Sequence, residues 1–358
     1  MFPFAVNGAN GNRPMKAWRF RAAFNIEPYR TLTEFPTYVD ETVMPSNFFS
    51  EVQNGGGDIR VTSDVMGLNE EPVEVVECNT STNKLQLWFK IHSTSASNVT
   101  FFYIWYGNTL AVMPDADSAN GSEEVWNNSG EKDYIGAYHM DESSGDLLDS
   151  SENGNDWTPN GNMPSPLASI CGDGQEFEDL NDYFTAPNRM VGTANFSIEF
   201  WITTTQVAPT AAQWYQGVGL IDAEQAGLKD DWGISMIDSG KIAFGAGEFG
   251  SPDITIKSVS SVNDGNPHHI AITFNHGGGA NNGTIYIDGV KDVEGTIYNH
   301  TKDDINPIMG AIRSNTALRF IGVLDEVRFS GFQDGNYYAQ SWYNQNDVSD
   351  FVTLLGTV

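Results

Sequence analysis

The sequence predicts an all-β protein made of two β-sandwich domains, and three observations carry that prediction. The chain has 36 glycines, 21 phenylalanines, 13 tyrosines and 9 tryptophans with only 18% charged residues, a composition of strands and turns rather than helices. Short runs that alternate apolar and polar residues recur at close intervals, separated by clusters of Gly, Asn, Ser and Pro. At 358 residues the chain is long for one hydrophobic core, so two domains are expected.

The elements follow in order. Residues 1–17 (MFPFAVNGANGNRPMKA) combine an apolar tip, a Gly/Asn run and Arg13 and Lys16, and are expected to form an arm outside either sandwich. Residues 18–24 (WRFRAAF) alternate as a half-buried strand should. Further strands are predicted at 36–39, 58–62, 72–76, 84–91 and 99–106. Residues 113–132 are polar and acidic and read as a linker. Beyond it, the alternation of Phe196, Ile198, Phe200 and Ile202, and of Ile270, Ile272 and Phe274, gives strands with one buried face. One helix is predicted near residues 334–344, capped by Asp334, with Tyr338 and Trp342 four residues apart on one side.

Two resemblances sharpen the picture. The blocks RFRAAFNI, GGGDIRVT, LQLWFKI and FFYIWYGNTLA resemble the uncharacterised β domain that commonly precedes laminin G-like lectin domains, over roughly residues 18–112. The block SDVMGLNEEPVEVVEC departs from that pattern. The blocks YIGAYHMDESSG, LDSSENGND, GQEFEDLNDYFTAPN, NFSIEFWITTT, HHIAITF, GTIYIDGV and LDEVRFS resemble the concanavalin A-like laminin G superfamily over almost all of 133–358. This resemblance implies that the second sandwich, residues 133–358, is a jelly roll of two antiparallel sheets.

Charge narrows the partners. With 47 acids against 18 bases the formal net charge is −29, which argues against nucleic-acid binding, because phosphate contacts need clustered Lys and Arg. Residues 1–30 are the exception. Five bases against Glu27 alone give +4 there and leave −33 for the remainder. No stretch approaches membrane-spanning length, so no membrane insertion is expected. The start lacks the apolar run of a secretory signal and opens on Met1, which suits a particle component assembled inside a host cell. Cys78 and Cys171 fall in different expected domains, so no intrachain disulfide is expected.

The stretch LRFIGVLDEVRFS (318–330) poses a physical question. Ile321, Val323, Val327 and Phe329 share one strand parity, and Asp325 shares it too. A carboxylate among inward apolar side chains needs a cation, an arginine or backbone N–H groups. Asp149, Asn153 and Asn155 in DSSENGN offer compact oxygen ligands, and the laminin G resemblance implies a structural calcium at Asp149 and Asp325. The alternative is a set of hydrogen bonds from backbone N–H groups of that loop.

No catalytic residues are expected. Glycosidic cleavage needs two placed carboxylates, and SIEFWITTT offers only Glu199, on the parity opposite Phe196 and read as an outward polar residue. His268 and His269 are neighbours on a strand and point to opposite faces. Residues 277–280 (GGGA) read as a hairpin loop, since no helix follows. Trp214, Tyr215 and Trp232 lie in loop-like surroundings and are the candidates for stacking on a sugar.

These readings lead to one expectation: a non-enzymatic, exposed structural or adhesion protein, most readily a phage or virus capsid decoration or fibre on the virion surface. Its arm is expected to contact other virion proteins or its own copies as a homo-oligomer, and its jelly roll a cell-surface glycan. The competing expectation is a glycan-binding module of a secreted or cell-surface bacterial protein.

Overall fold

The computed structural model describes residues 15–128, 133–178, 182–191, 195–227, 229–298 and 305–358. Most of the arm, residues 1–14, lies outside them. Strands dominate, as the composition implies, and they form two sandwiches.

The first sandwich faces a three-stranded sheet, Thr33–Asp40, Lys84–Ser93 and Val73–Asn79, against a five-stranded one. The latter runs Val352–Thr357, Phe20–Ile26, Thr100–Tyr106, Arg60–Thr62 and Glu70–Glu71. Its first strand is the last of the chain. Val352 pairs with Ile26 and Thr357 with Ala22 in an antiparallel ladder, so a segment expected in the second domain completes the first. The divergent block is also accounted for: Asp64 accepts the backbone N–H groups of Met66, Leu68 and Asn69, fixing a turn before Glu70–Glu71. Met15, assigned to the free arm by sequence, is instead buried.

The expected linker is packed at its end. Val125 and Trp126 are fully buried, and the Trp126 ring lies 5.5 Å from that of Trp88. An apolar pair in an acidic stretch gains more from burial than a solvated linker could offer.

The second sandwich places its core between an eight-stranded and a nine-stranded sheet. Strand Phe196–Thr203 lies between Pro267–Phe274 and Gly322–Ser330 in the eight-stranded sheet, and 277–280 lie in the turn joining Pro267–Phe274 to Gly283–Ile287. Helix Gly335–Asn346, capped by Asp334 as predicted, crosses the outer face of this sheet. It also grips the first sandwich: Asn344 accepts from Tyr38 N (2.7 Å) and donates to Tyr38 O (2.8 Å).

That covered face holds the chain's most charged interior. Glu199, read as outward and solvated, is buried beneath the helix. It meets His269 Nε2 at 3.1 Å, Tyr337 Oη at 3.2 Å, Ser341 Oγ at 3.1 Å and Arg328 at 3.4 Å. The Arg328 guanidinium also bonds Glu326 and lies over the ring of Trp88 (4.4 Å) and that of Trp126 (4.9 Å) from the other sandwich. His139 bridges the domains, 2.8 Å from Glu326 and 3.2 Å from Glu74. Burial opposes each charge, yet the His269 and Arg328 partners hold Glu199 below the ordinary carboxylate range, and His139 and Arg328 do the same for Glu326. Burial likewise disfavours protonated His139, but Glu326 and Glu74 outweigh it and raise the imidazole well above its usual value.

Candidate functional site

Asp325 does not sit where its parity placed it. Glu326 adopts φ 49°, and the ladder with Phe196–Thr203 slips between Trp201 (opposite Asp325) and Glu199 (opposite Arg328). This is a β-bulge. Leu324, Val327 and Phe329 face the core, while Asp325, Glu326 and Arg328 all turn toward the other sandwich. Asp325 accepts from Cys171 N at 3.2 Å, and its other oxygen has no partner. Burial, then the Glu326 charge, raises its pKa far above the ordinary range.

The four residues expected to share calcium are therefore divided. Asp149, Asn153 and Asn155 do meet in one loop, but Asp149 accepts backbone N–H groups from Ala137, Ser151 and Asn155. Asn153 and Asn155 donate to the carbonyls of Tyr134 and Ile135. Asp325 takes no part. Among the described residues no group of three or more His, Cys, Asp or Glu side chains is placed to hold a metal ion, and the calcium set does not fit as one site.

The helix and the first sandwich cover the eight-stranded sheet, which leaves the nine-stranded sheet, among the described residues, as the candidate ligand face. Ile221, Ile234 and Phe244 point into the core. Their neighbours alternate outward, and the register lines up Thr185, Ile308, Asp222, Gly233, Gly245 and Thr255 in one row across the strands. Trp214, on the short helix Trp214–Gln216, lies flat over this row. A Cβ at Gly233 or Gly245 would come within 2.2 Å of its ring, so the close approach requires glycine. The indole donates to Asp253 Oδ2 at 3.0 Å and its backbone N–H to Thr255 Oγ1 at 3.1 Å.

The three aromatic candidates thus part company. Trp214 is fully buried and forms the floor. Tyr215 beside it, 5.8 Å away and edge-on, is half exposed. Trp232 points inward, packed on Phe196 at 5.7 Å, and cannot touch a sugar.

Sequence reading missed the residues around that floor. Asp222, Glu224 and Asp231 are buried, each with one carboxylate oxygen lacking a partner, and Asp253 stands beside them. Burial is the main cause that lifts Asp222 to about 8 and Glu224 and Asp231 to about 7. Two residues beyond Gly247, whose Cβ position lies 2.4 Å from Asp231 Oδ1, Phe249 is 72% exposed. On the other side of Asp222, whose Oδ1 accepts from Arg313 N, lies a cleft of about 490 Å³ lined by Tyr183, Asn306 and Arg313 among others.

A pH dependence follows. Carboxylates whose pKa is raised on folding stabilise the fold fully below about pH 4 and lose that contribution as pH rises through about 7 to 8. Stability is therefore expected to fall from about pH 4 to about pH 8 and to level off above it. Asp222→Asn, which keeps both backbone hydrogen bonds to Oδ1 and removes the charge, is expected to recover about 3–5 kcal/mol at pH 9 and little at pH 5. Melting curves at the two pH values check this; equal effects at both would contradict it.

Residues 178–332 match the family model described as the concanavalin A-like lectin/glucanases superfamily. The second sandwich is thus a laminin G-like domain of lectin-like fold, as the sequence blocks imply. Among solved structures the chain is similar to domain 4 of a GH43 extracellular arabinanase from Geobacillus stearothermophilus, solved in complex with arabinotriose. The identity is 19% and the TM-score 0.47, over 59% of this chain and 98% of that one. It is also similar to the binding domain of Paraclostridial mosquitocidal protein 1, at 15% identity and TM-score 0.45, over 58% of this chain and 51% of the other. The botulinum neurotoxin serotype D binding domain gives 14% and 0.44, over 59% and 51%. The chain spans about half the length of these two toxin domains. No curated protein matches it.

Proposed function

We propose that the protein binds glycan, without hydrolysing it, on the outer face of the nine-stranded sheet. The observation that carries this reading is the pair of accessible rings, half-exposed Tyr215 and exposed Phe249, beside the polar groups gathered around Trp214. Rings of this kind stack on the apolar face of a sugar while fixed polar groups read hydroxyls. The acidic surroundings favour neutral glycans over sialylated or sulfated ones, since like charges oppose one another across an interface.

The setting we favour is an exposed component of a virion, as capsid decoration or fibre, with the arm on neighbouring virion proteins or further copies of the chain. The +4 of residues 1–30 against −33 in the rest supports it. A secreted or cell-surface bacterial protein is the alternative, separated by whether capsid or polysaccharide-degradation genes lie alongside.

A glycan array tests the site. Neutral glycans are expected to bind, and Tyr215→Ala or Phe249→Ala to weaken binding by about tenfold each, the worth of one stacked ring. Binding unaffected by both substitutions would remove this face from the reading, sulfated hits would overturn its selectivity, and turnover of any polysaccharide would overturn the non-catalytic claim.

A further inference from the structure

The first sandwich carries a cleft of its own, of about 610 Å³, whose lining includes Ser63, Asn69, Glu70, Glu71, His92 and Asn120. Its chemistry is unlike that of the lectin face. No Phe, Tyr or Trp lines it, so it lacks the large ring on which a sugar stacks.

Glu71 is the informative residue. It lines the cleft yet is only 1% exposed, and neither of its carboxylate oxygens has a hydrogen-bond partner. The Ser63 hydroxyl lies close enough to favour the ionised form without making a well-formed bond to it. The nearby cations are committed elsewhere or exposed: Arg60 pairs with Glu70 at 3.2 Å, Lys90 donates to Asn127 O and pairs with Glu124, and His92 is exposed. A buried carboxylate with no donor is costly to keep, and strands hold this one in place through the pairing of Glu71 with Val61.

We infer that this cleft is a second ligand site, taking a ligand that presents a guanidinium or ammonium group to Glu71. A guanidinium supplies two parallel N–H donors to the two free oxygens, the bidentate arrangement that carboxylates take most strongly. The Asn69 and Asn120 carbonyls and the Ser63 oxygen are further acceptors for its remaining donors. An anion would meet Glu70 and Glu71, and a metal ion lacks the required set of ligands among the described residues.

The test is calorimetric titration of the full chain with L-argininamide, with L-citrullinamide as the uncharged isostere and Glu71→Gln as the variant. Saturable binding of argininamide at millimolar concentration or tighter is expected, with no binding of citrullinamide and at least a tenfold loss in Glu71→Gln. Melting curves show whether Glu71→Gln remains folded; should it not, Glu70→Gln, which leaves Glu71 in place, must retain argininamide binding. Tyr215→Ala must leave this binding unchanged, which separates it from the lectin face. Absence of argininamide binding, equal binding of citrullinamide, or full binding by folded Glu71→Gln overturns the inference.

Discussion

Arg328→Ala is expected to destabilise the protein by about 3–5 kcal/mol at pH 7, the loss typical of stranding buried partners of an ion pair. The substitution leaves Glu199 and Glu326 inside the domain boundary without the cation they share, and it removes the guanidinium from over Trp88 and Trp126. The charge and packing components separate by design. Arg328→Met restores most of the volume and should recover little. Combining it with Glu199→Gln and Glu326→Gln removes the stranded charges and should recover most of the loss. Denaturant unfolding measures each variant. The penalty for Arg328→Ala should also shrink near pH 5, where carboxylates deprived of their cation take up protons. A penalty that is the same at both pH values would show that packing, not charge, is what Arg328 supplies.

Removing residues 352–358 is expected to be at least as damaging, and to the first sandwich rather than to the lectin-like one. The deletion strips the ladder from Ala22 to Ile26 and takes away Val352, which is buried in the core shared by the sandwich and the helix segment. It leaves a five-residue edge of apolar strand open to solvent, a template for association with other chains. Hydrogen exchange checks the location: amides of Phe20–Ile26 and Thr100–Tyr106 should lose protection first, while those of Trp232–Ile237 keep theirs. Uniform loss across both sandwiches would instead indicate one cooperative unit.

The strands of the first sandwich and the central strands of the eight-stranded sheet were legible because their alternation is regular and their boundaries carry Gly, Asn and Pro, whereas Val218–Asp222, Trp232–Ile237, Lys241–Glu248 and Ser251–Ser261 of the nine-stranded sheet were not. The helix was legible because Asp334 announces it. Asp325 was misread because a bulge changes parity without a sequence mark. Glycine would have betrayed the positive φ, and Glu326 occupies it instead. Glu199 was assigned to the correct face, opposite Phe196, but nothing local to SIEFWITTT says that a helix more than 130 residues later will cover that face. The aromatic floor was half legible. Trp232 looked like a loop residue because its outward neighbours are Asp231 and Gly233, and the small Gly233 exists to admit Trp214. Asp222, Glu224, Asp231 and Asp253 are scattered in sequence, and it takes the strand order to gather them.

The pairing of Val352–Thr357 with Phe20–Ile26 also has a consequence for biosynthesis. The early strand leaves the ribosome more than 300 residues ahead of its neighbour, and at bacterial-scale elongation rates that interval lasts on the order of tens of seconds. Throughout it, one side of the first sheet lacks its final partner, and the Tyr38 backbone awaits Asn344. Contacts of such long sequence separation form late and slowly. A nascent chain of this protein must therefore be kept from pairing with its neighbours on a polysome until its last few residues arrive, so yield in expression should depend on chaperone capacity and translation speed more than on the stability of the finished fold.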